Sequence, residues 1–188
     1  MIVAAEGNLS VRCGGHCFLV TPGGVSKGEL RVQDLVEVDL QGRSAGGRPT
    51  SEWPMHGFIY RERPDVRAVC HAHPPWATAV SVAGRSLDGS ILTETADPLP
   101  SVPLAVRSMP GTEEVPAAIA PLLQDHDAIL LGGHGVVTVG SDLSSAFMLM
   151  ETVERLAQVT LLAELAAGRS TLSTEELIEL CRQGRRGG

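Results

Sequence analysis

The sequence reads as an α/β chain, with strands and helices interleaved along its length. Two observations carry this. Residues 8–12, 17–20, 35–40 and 128–131 alternate or run apolar over strand-like lengths and end near glycines. Between and after them lie helix-like stretches at 50–63, 76–82, 112–124, 143–167 and 173–181, most with a Ser, Thr or Asp at the start. At 188 residues the chain is long enough for a sizeable core, and a single domain over 1–188 is expected.

In order, residues 8–20 predict a hairpin with Gly14-Gly15 at its turn. The hairpin runs into Thr21-Pro22-Gly23-Gly24, a loop rich in backbone N–H groups with one hydroxyl. That is either a simple turn or an anion site. Residues 35–40 alternate and meet Gln41-Gly42, which predicts a further strand. Thr50 or Ser51 is then the expected N-cap of a helix whose repeat is Trp53, Met55, His56, Ile59 and Tyr60, ended by Pro64. The two hydroxyls are a second candidate anion site, and Glu52 suits the first turn of a helix.

A strand over 66–73 follows, then a helix stopped by Gly84. Short strands are expected at 90–93 and 102–106, separated by Pro98 and Pro100. Thr112 is the expected cap of a helix reaching Gln124. The buried strand at 128–131 passes through Gly132-Gly133-His134-Gly135 and resumes over 136–139. Ser141-Asp142 caps a long amphipathic helix, and Ser173 with Glu176 has capping-box spacing. Residues 182–188 read as a frayed basic tail.

Composition excludes several classes. A net charge of −7 argues against nucleic acid or an anionic membrane as partner. No apolar run reaches the length of a membrane span, and the first residues lack the pattern of a secretion signal. Four cysteines without a CxxC pair fit a reducing, cytoplasmic setting.

The chemistry concentrates in few residues. On a strand, His71 and His73 point to one face and can aim two imidazoles at one point. Two unrelated histidines would look the same, so the pair needs a third ligand. His134, with glycines on both sides, has room to be one. Three neutral imidazoles suit Zn²⁺ with a fourth position left for water or substrate. Glu52 is the leading acidic partner, as proton carrier or fourth ligand. Spacing alone does not bring it to the histidines. His16, His56 and His126 read as structural or surface residues.

Taken together, the motifs resemble the class II aldolase/adducin family. They are Gly7-Asn8-Leu9-Ser10-Val11-Arg12, Val20-Thr21-Pro22-Gly23-Gly24, Asp34-Leu35-Val36, Thr50-Ser51-Glu52-Trp53-Pro54-Met55-His56, Arg63-Pro64-Asp65 through His71-Ala72-His73, Pro110-Gly111-Thr112-Glu113-Glu114 and Gly133-His134-Gly135-Val136. The resemblance implies a three-layer α/β/α fold on a mixed, mostly antiparallel sheet. It also implies a homotetramer with active sites between subunits. It makes His71, His73 and His134 ligands of Zn²⁺ (or of Mn²⁺ or Co²⁺) and Glu52 the acid/base. It places Asn8, Thr21, Gly23, Thr50 and Ser51 at a substrate phosphate.

The activity implied is cleavage of a small ketose phosphate, of the L-fuculose-1-phosphate type, to dihydroxyacetone phosphate and an aldehyde by way of a metal-stabilised enediolate. A dehydratase (methylthioribulose-phosphate type), epimerase or decarboxylase of the family would use the same ligands. A non-catalytic adducin-like domain would be expected to lack them. Two departures stand out. The helix that precedes the Gly-Asn motif in relatives is expected to be missing, since Gly7-Asn8 opens the chain. Fuculose-phosphate aldolases also use tyrosines at the aldehyde end, whereas the one tyrosine here is Tyr60. Thr93, Glu94 and Thr95 stand in the stretch expected to read that end, with Glu94 either a replacement or a surface residue.

Overall fold

A computed structural model describes residues 5–168. The helix expected at 173–181 and the tail at 182–188 lie outside the described residues. The hairpin forms where the sequence predicts it: β1 (Asn8–Gly14) pairs antiparallel with β2 (Cys17–Val20). β2 then pairs with β3 (Val36–Val38). After α1 (Trp53–Glu62) the chain returns to the other side of β1 as β4 (Ala68–Ala72). Next come α2 (Pro75–Val82), β5 (Leu87–Asp88), β6 (Ser101–Val102), β7 (Leu104–Ala105) and α3 (Glu114–Ile119). β8 (Ala128–Leu131), β9 (Gly135–Gly140) and α4 (Leu143–Ala166) complete the described chain.

Seven strands form one sheet in the order β3-β2-β1-β4-β9-β8-β7, while β5 and β6 form a separate ribbon. Only β7–β8 is parallel within the large sheet, so it is mixed and mostly antiparallel. Its two faces bury different helices. Phe18, Val69, Ile129 and Val137 pack with Trp53, Ile59 and Ile119 from α1 and α3. Ala68, Cys70, Leu130 and Val136 pack with Trp76, Val80, Met150 and Leu156 from α2 and α4. The period-2 alternation of the strands therefore feeds two cores, and the result is the α/β/α layering expected. No described helix is long and apolar enough to cross a membrane.

Four local expectations change. First, α1 starts at Trp53, and Glu52 rather than Thr50 or Ser51 takes the N-cap position, without a side-chain cap. The Thr50 hydroxyl instead accepts the Glu52 N–H (3.3 Å), a local turn that competes with the helix. Second, residues 90–93 are no strand. Gly89–Ile91 is a 3₁₀ turn fixed by the Asp88 carboxylate, which accepts the Ser90 N–H (2.9 Å). Third, the strand expected at 102–106 is split into β6 and β7 at Pro103, which has no N–H to donate. Fourth, α3 is capped at Glu113, not Thr112, and ends at Ile119, just ahead of Ala120-Pro121. Pro121 has no N–H with which to continue the helical hydrogen-bond ladder.

α2 has a capping problem that a distant residue solves. Its N-cap is Pro74, which has no polar side chain. Glu154 of α4 reaches across and accepts the N–H groups of Trp76 (3.1 Å) and Ala77 (2.9 Å). A carboxylate there also opposes the helix dipole. Glu154→Ala should lower stability by about 1–2 kcal/mol, as losing a cap does. Urea unfolding should show a lower midpoint with an unchanged slope.

Candidate metal centre

β4 is the strand from which the site is built. All five of its residues are buried, and it lies between β1 and β9. His71 shares the Val69 face, toward α1, and its register partners are Asn8 on β1 and Val137 on β9. His73 follows just past the strand end, and His134 lies in the turn from β8 to β9. One ligand nitrogen from each histidine lies within 4.8 Å of the others, and the ring centroids are 4.7–4.9 Å apart.

Hydrogen bonding fixes the ring tautomers. His71 Nδ1–H donates to the Val136 carbonyl (2.8 Å), and His73 Nδ1–H donates to Glu6 Oε2 (3.1 Å). Both Nε2 atoms then carry lone pairs, yet they face one another at 3.0 Å. Two lone pairs at that distance repel unless a cation or proton lies between them.

Glu52 approaches from the start of α1. Its Oε2 accepts the Asn8 amide N–H (2.7 Å) and lies 3.1 Å from His71 Nε2. Its Oε1 is buried without a hydrogen-bond partner, 3.5 Å from His134 Nε2. An orphaned buried carboxylate oxygen facing imidazole lone pairs is a donor set that fits a divalent cation. Burial alone would push the Glu52 carboxyl up. With a second proton on His71, its Nε2–H hydrogen bond and charge, together with the Asn8 amide and His134, outweigh burial and hold the carboxyl well below the usual carboxylate range. Burial, reinforced by charge at His71, pushes His134 down to about 4 and also lowers His73. At neutral pH these rings are therefore held neutral, the form that ligates.

Behind Glu52 runs a directional chain of buried hydrogen bonds. Asn8 must donate its amide N–H to the carboxylate, so its Oδ1 accepts from His56 Nε2–H (2.5 Å). His56 Nδ1 then accepts from the Ser10 hydroxyl (2.7 Å), which accepts from Tyr60 (2.8 Å). His56 is thus structural, as expected. It is also a positioning residue for Asn8, and its spacing four residues after Glu52 was the available signal. The lone tyrosine is part of this wall and does not face the histidines.

The five residues expected at a phosphate are distributed as follows. The loops at 21–24 and 48–51 meet: Thr50 N–H donates to the Thr21 carbonyl and Gly23 N–H to the Arg48 carbonyl, both at 3.2 Å. A Cβ on Gly23 would stand 3.4 Å from the Pro49 carbonyl. Thr21, Gly23, Thr50 and Ser51 therefore lie together. Thr21 and Thr50 are buried, and the Thr21 hydroxyl also accepts the Leu9 N–H (3.1 Å). Ser51 is exposed. Asn8 is turned inward, its amide shared between Glu52 and His56.

The glycines around His134 have a different use from the one expected. A Cβ on Gly135 would clash with His73 Cδ2 (2.7 Å), so Gly135 admits that ring. Gly132 and Gly133 make room for Arg107 instead. Glu94 is exposed in a turn. Beside His134 the cavity is lined by residues 107–110, of which Arg107, Ser108 and Met109 match no periodic pattern and belong to none of the motifs.

Burial holds the His56 pKa down to about 3. A histidine lowered in the folded state binds its proton more readily when unfolded. Its contribution to stability is therefore present above pH 6.5 and lost as pH falls toward 3. Between pH 7 and pH 5 this amounts to about 2 kcal/mol. Urea unfolding of wild type and His56→Gln at both pH values should show a loss between pH 7 and pH 5 that is larger in wild type by that increment.

Comparisons with known proteins show the family and the fold. The family model for the class II aldolase and adducin N-terminal domain matches residues 1–161. An L-fuculose phosphate aldolase from Methanocaldococcus jannaschii is 34% identical over 166 residues, 86% of this chain and 87% of that protein. A 5-methylthioribulose-1-phosphate/5-deoxyribulose-1-phosphate aldolase from Rhodospirillum rubrum is 35% identical over 153 residues, 81% and 69% of the two chains. The crystal structure of L-fuculose-1-phosphate aldolase from Thermus thermophilus superposes with a TM-score of 0.80 at 37% identity, covering 92% of this chain and 90% of that one. The chain belongs to the class II aldolase family.

Proposed function

We propose that His71, His73 and His134 hold a divalent cation, Zn²⁺ by the chemistry of three imidazoles, and that the protein is a lyase. In this reading it cleaves a small ketose phosphate, of the L-fuculose-1-phosphate type, to dihydroxyacetone phosphate and an aldehyde. The observation that carries the reading is the convergence of three imidazole nitrogens on an unpartnered, buried Glu52 oxygen. Homotetramer assembly belongs to the same reading.

The bound cation would act as a Lewis acid toward the charge that builds up as the carbon–carbon bond breaks. The protein does the rest. The hydroxyls of Ser51, Thr21 and Thr50, with backbone N–H groups near Gly23, hold the phosphate. Asn8, anchored by His56, aims Glu52. Glu52 returns a proton to the carbon that loses its bond to the aldehyde fragment, and in the synthetic direction takes it away. Burial of Glu52, which is 9% exposed, keeps bulk water from competing for that proton.

One observation favours a second reading, in which a dehydratase, epimerase or decarboxylase reaction uses the same centre. The only tyrosine of the chain, Tyr60, is 2% exposed and bonded to Ser10, so it cannot serve the aldehyde end.

Purified protein should bind about one zinc per chain, and His71→Ala should lose it, as measured by metal analysis. A wild type that binds no metal overturns both readings. Incubation with a panel of ketose 1-phosphates should release dihydroxyacetone phosphate; metal-loaded protein that releases none rules out the aldolase reading. Ser51→Ala should raise KM for a phosphorylated substrate about tenfold with kcat little changed, the loss of one hydrogen bond to a charged group.

A further inference from the structure

A cavity of about 390 Å³ opens beside His134, and Arg107 forms one wall of it. The guanidinium lies over the Gly132-Gly133 turn that carries His134. A Cβ on Gly133 would stand 2.8 Å from Arg107 Cζ and 3.0 Å from its Nε, and one on Gly132 would stand 2.9 Å from the Arg107 backbone N. Gly133 also holds φ at +66°. Any side chain at 133 would therefore displace the guanidinium from this place.

Arg107 is exposed, and among the described residues its side chain has no hydrogen bond or ion pair. Arg43, Arg63 and Arg85 each pair with a carboxylate. The acid in the same cavity, Glu114, turns an oxygen to the Met109 N–H (2.8 Å) instead. In a chain of net charge −7, an unpaired cation facing a cavity at the histidine cluster calls for an anion from outside.

We propose that Arg107 binds a carboxylate carried by the substrate, so that the enzyme takes phosphorylated sugar acids. This rests on the reading of the Ser51 loops as the phosphate site. Those loops offer the hydroxyls of Thr21, Thr50 and Ser51 and backbone amides for the phosphate, and Arg107, over the turn that carries His134, is placed for a second anionic group. Residues 107–111 connect the two places: Pro110 lines the cavity, and a Cβ on Gly111 would lie 3.2 Å from the Ser51 carbonyl. The planar guanidinium fork matches a carboxylate edge-on, with two parallel hydrogen bonds.

The test is isothermal titration of the zinc-loaded full chain with a matched pair of ligands, 4-phospho-D-erythronate and D-erythritol 4-phosphate. They differ in a carboxylate against a hydroxymethyl group. Wild type should bind the erythronate about tenfold or more tightly, as a bidentate charged contact implies. Arg107→Gln should weaken the erythronate alone and bring the two ligands together, and Arg107→Lys should recover part of the difference. Ser51→Ala should weaken both alike. A preference that survives Arg107→Gln, a wild type with no preference, or equal losses of both ligands in Arg107→Gln overturns the assignment of Arg107. A wild type that binds neither ligand, with Ser51→Ala also without effect, overturns the phosphate reading as well.

Discussion

The structure depends on β4 being held between β1 and β9. Every residue of β4 is buried, so its register with both neighbours is fixed by which side chains enter which core. A one-residue slip would send Val69 and His71 to the α2–α4 face and Cys70 to the α1–α3 face. That register sets the site: Asn8 stands opposite His71 on one side, and the Val136 carbonyl fixes the ring on the other. Gly7 serves the same contact, since a Cβ there would come within 2.8 Å of the His71 carbonyl.

Such a site opposes folding when taken alone. It removes a carboxylate and a neutral imidazole almost completely from water and leaves one carboxylate oxygen without a donor. An unpaired buried charge costs several kcal/mol. The apolar layers on both sides supply the compensation, and a bound cation would supply more. The chain from Tyr60 through Ser10, His56 and Asn8 limits the cost further, because each member satisfies the next in one direction only. Rigidity at Glu52 follows from that satisfied network rather than from the helix it begins.

Charge is distributed to the same end. The chain is acidic overall, yet the loops around Thr21 and Ser51 contribute hydroxyl and amide groups, and Arg107 on its glycine floor shares a cavity with His134. Neutral donors and a separate guanidinium can distinguish two anionic ends of one molecule, where a single basic patch could not.

Much of this was legible from the chain. Period-2 alternation and glycine turns gave the hairpin, β3, β8 and β9, and the spacing of His71 and His73 on a strand predicted rings on one face. Those features are local, fixed by the backbone period and by side-chain direction. The 3₁₀ turn at Gly89–Ile91, the split at Pro103 and the late start of α1 were not legible. Each is decided by a competing local bond or by which sheet a segment joins. The Glu154 cap on α2, the His56–Asn8 support of Glu52 and the place of Arg107 came only from the tertiary structure. Each joins elements far apart in sequence, and a chain read in order carries no measure of that distance. The sequence determined which residues could do chemistry; packing of β4 between its neighbours decided which of them meet.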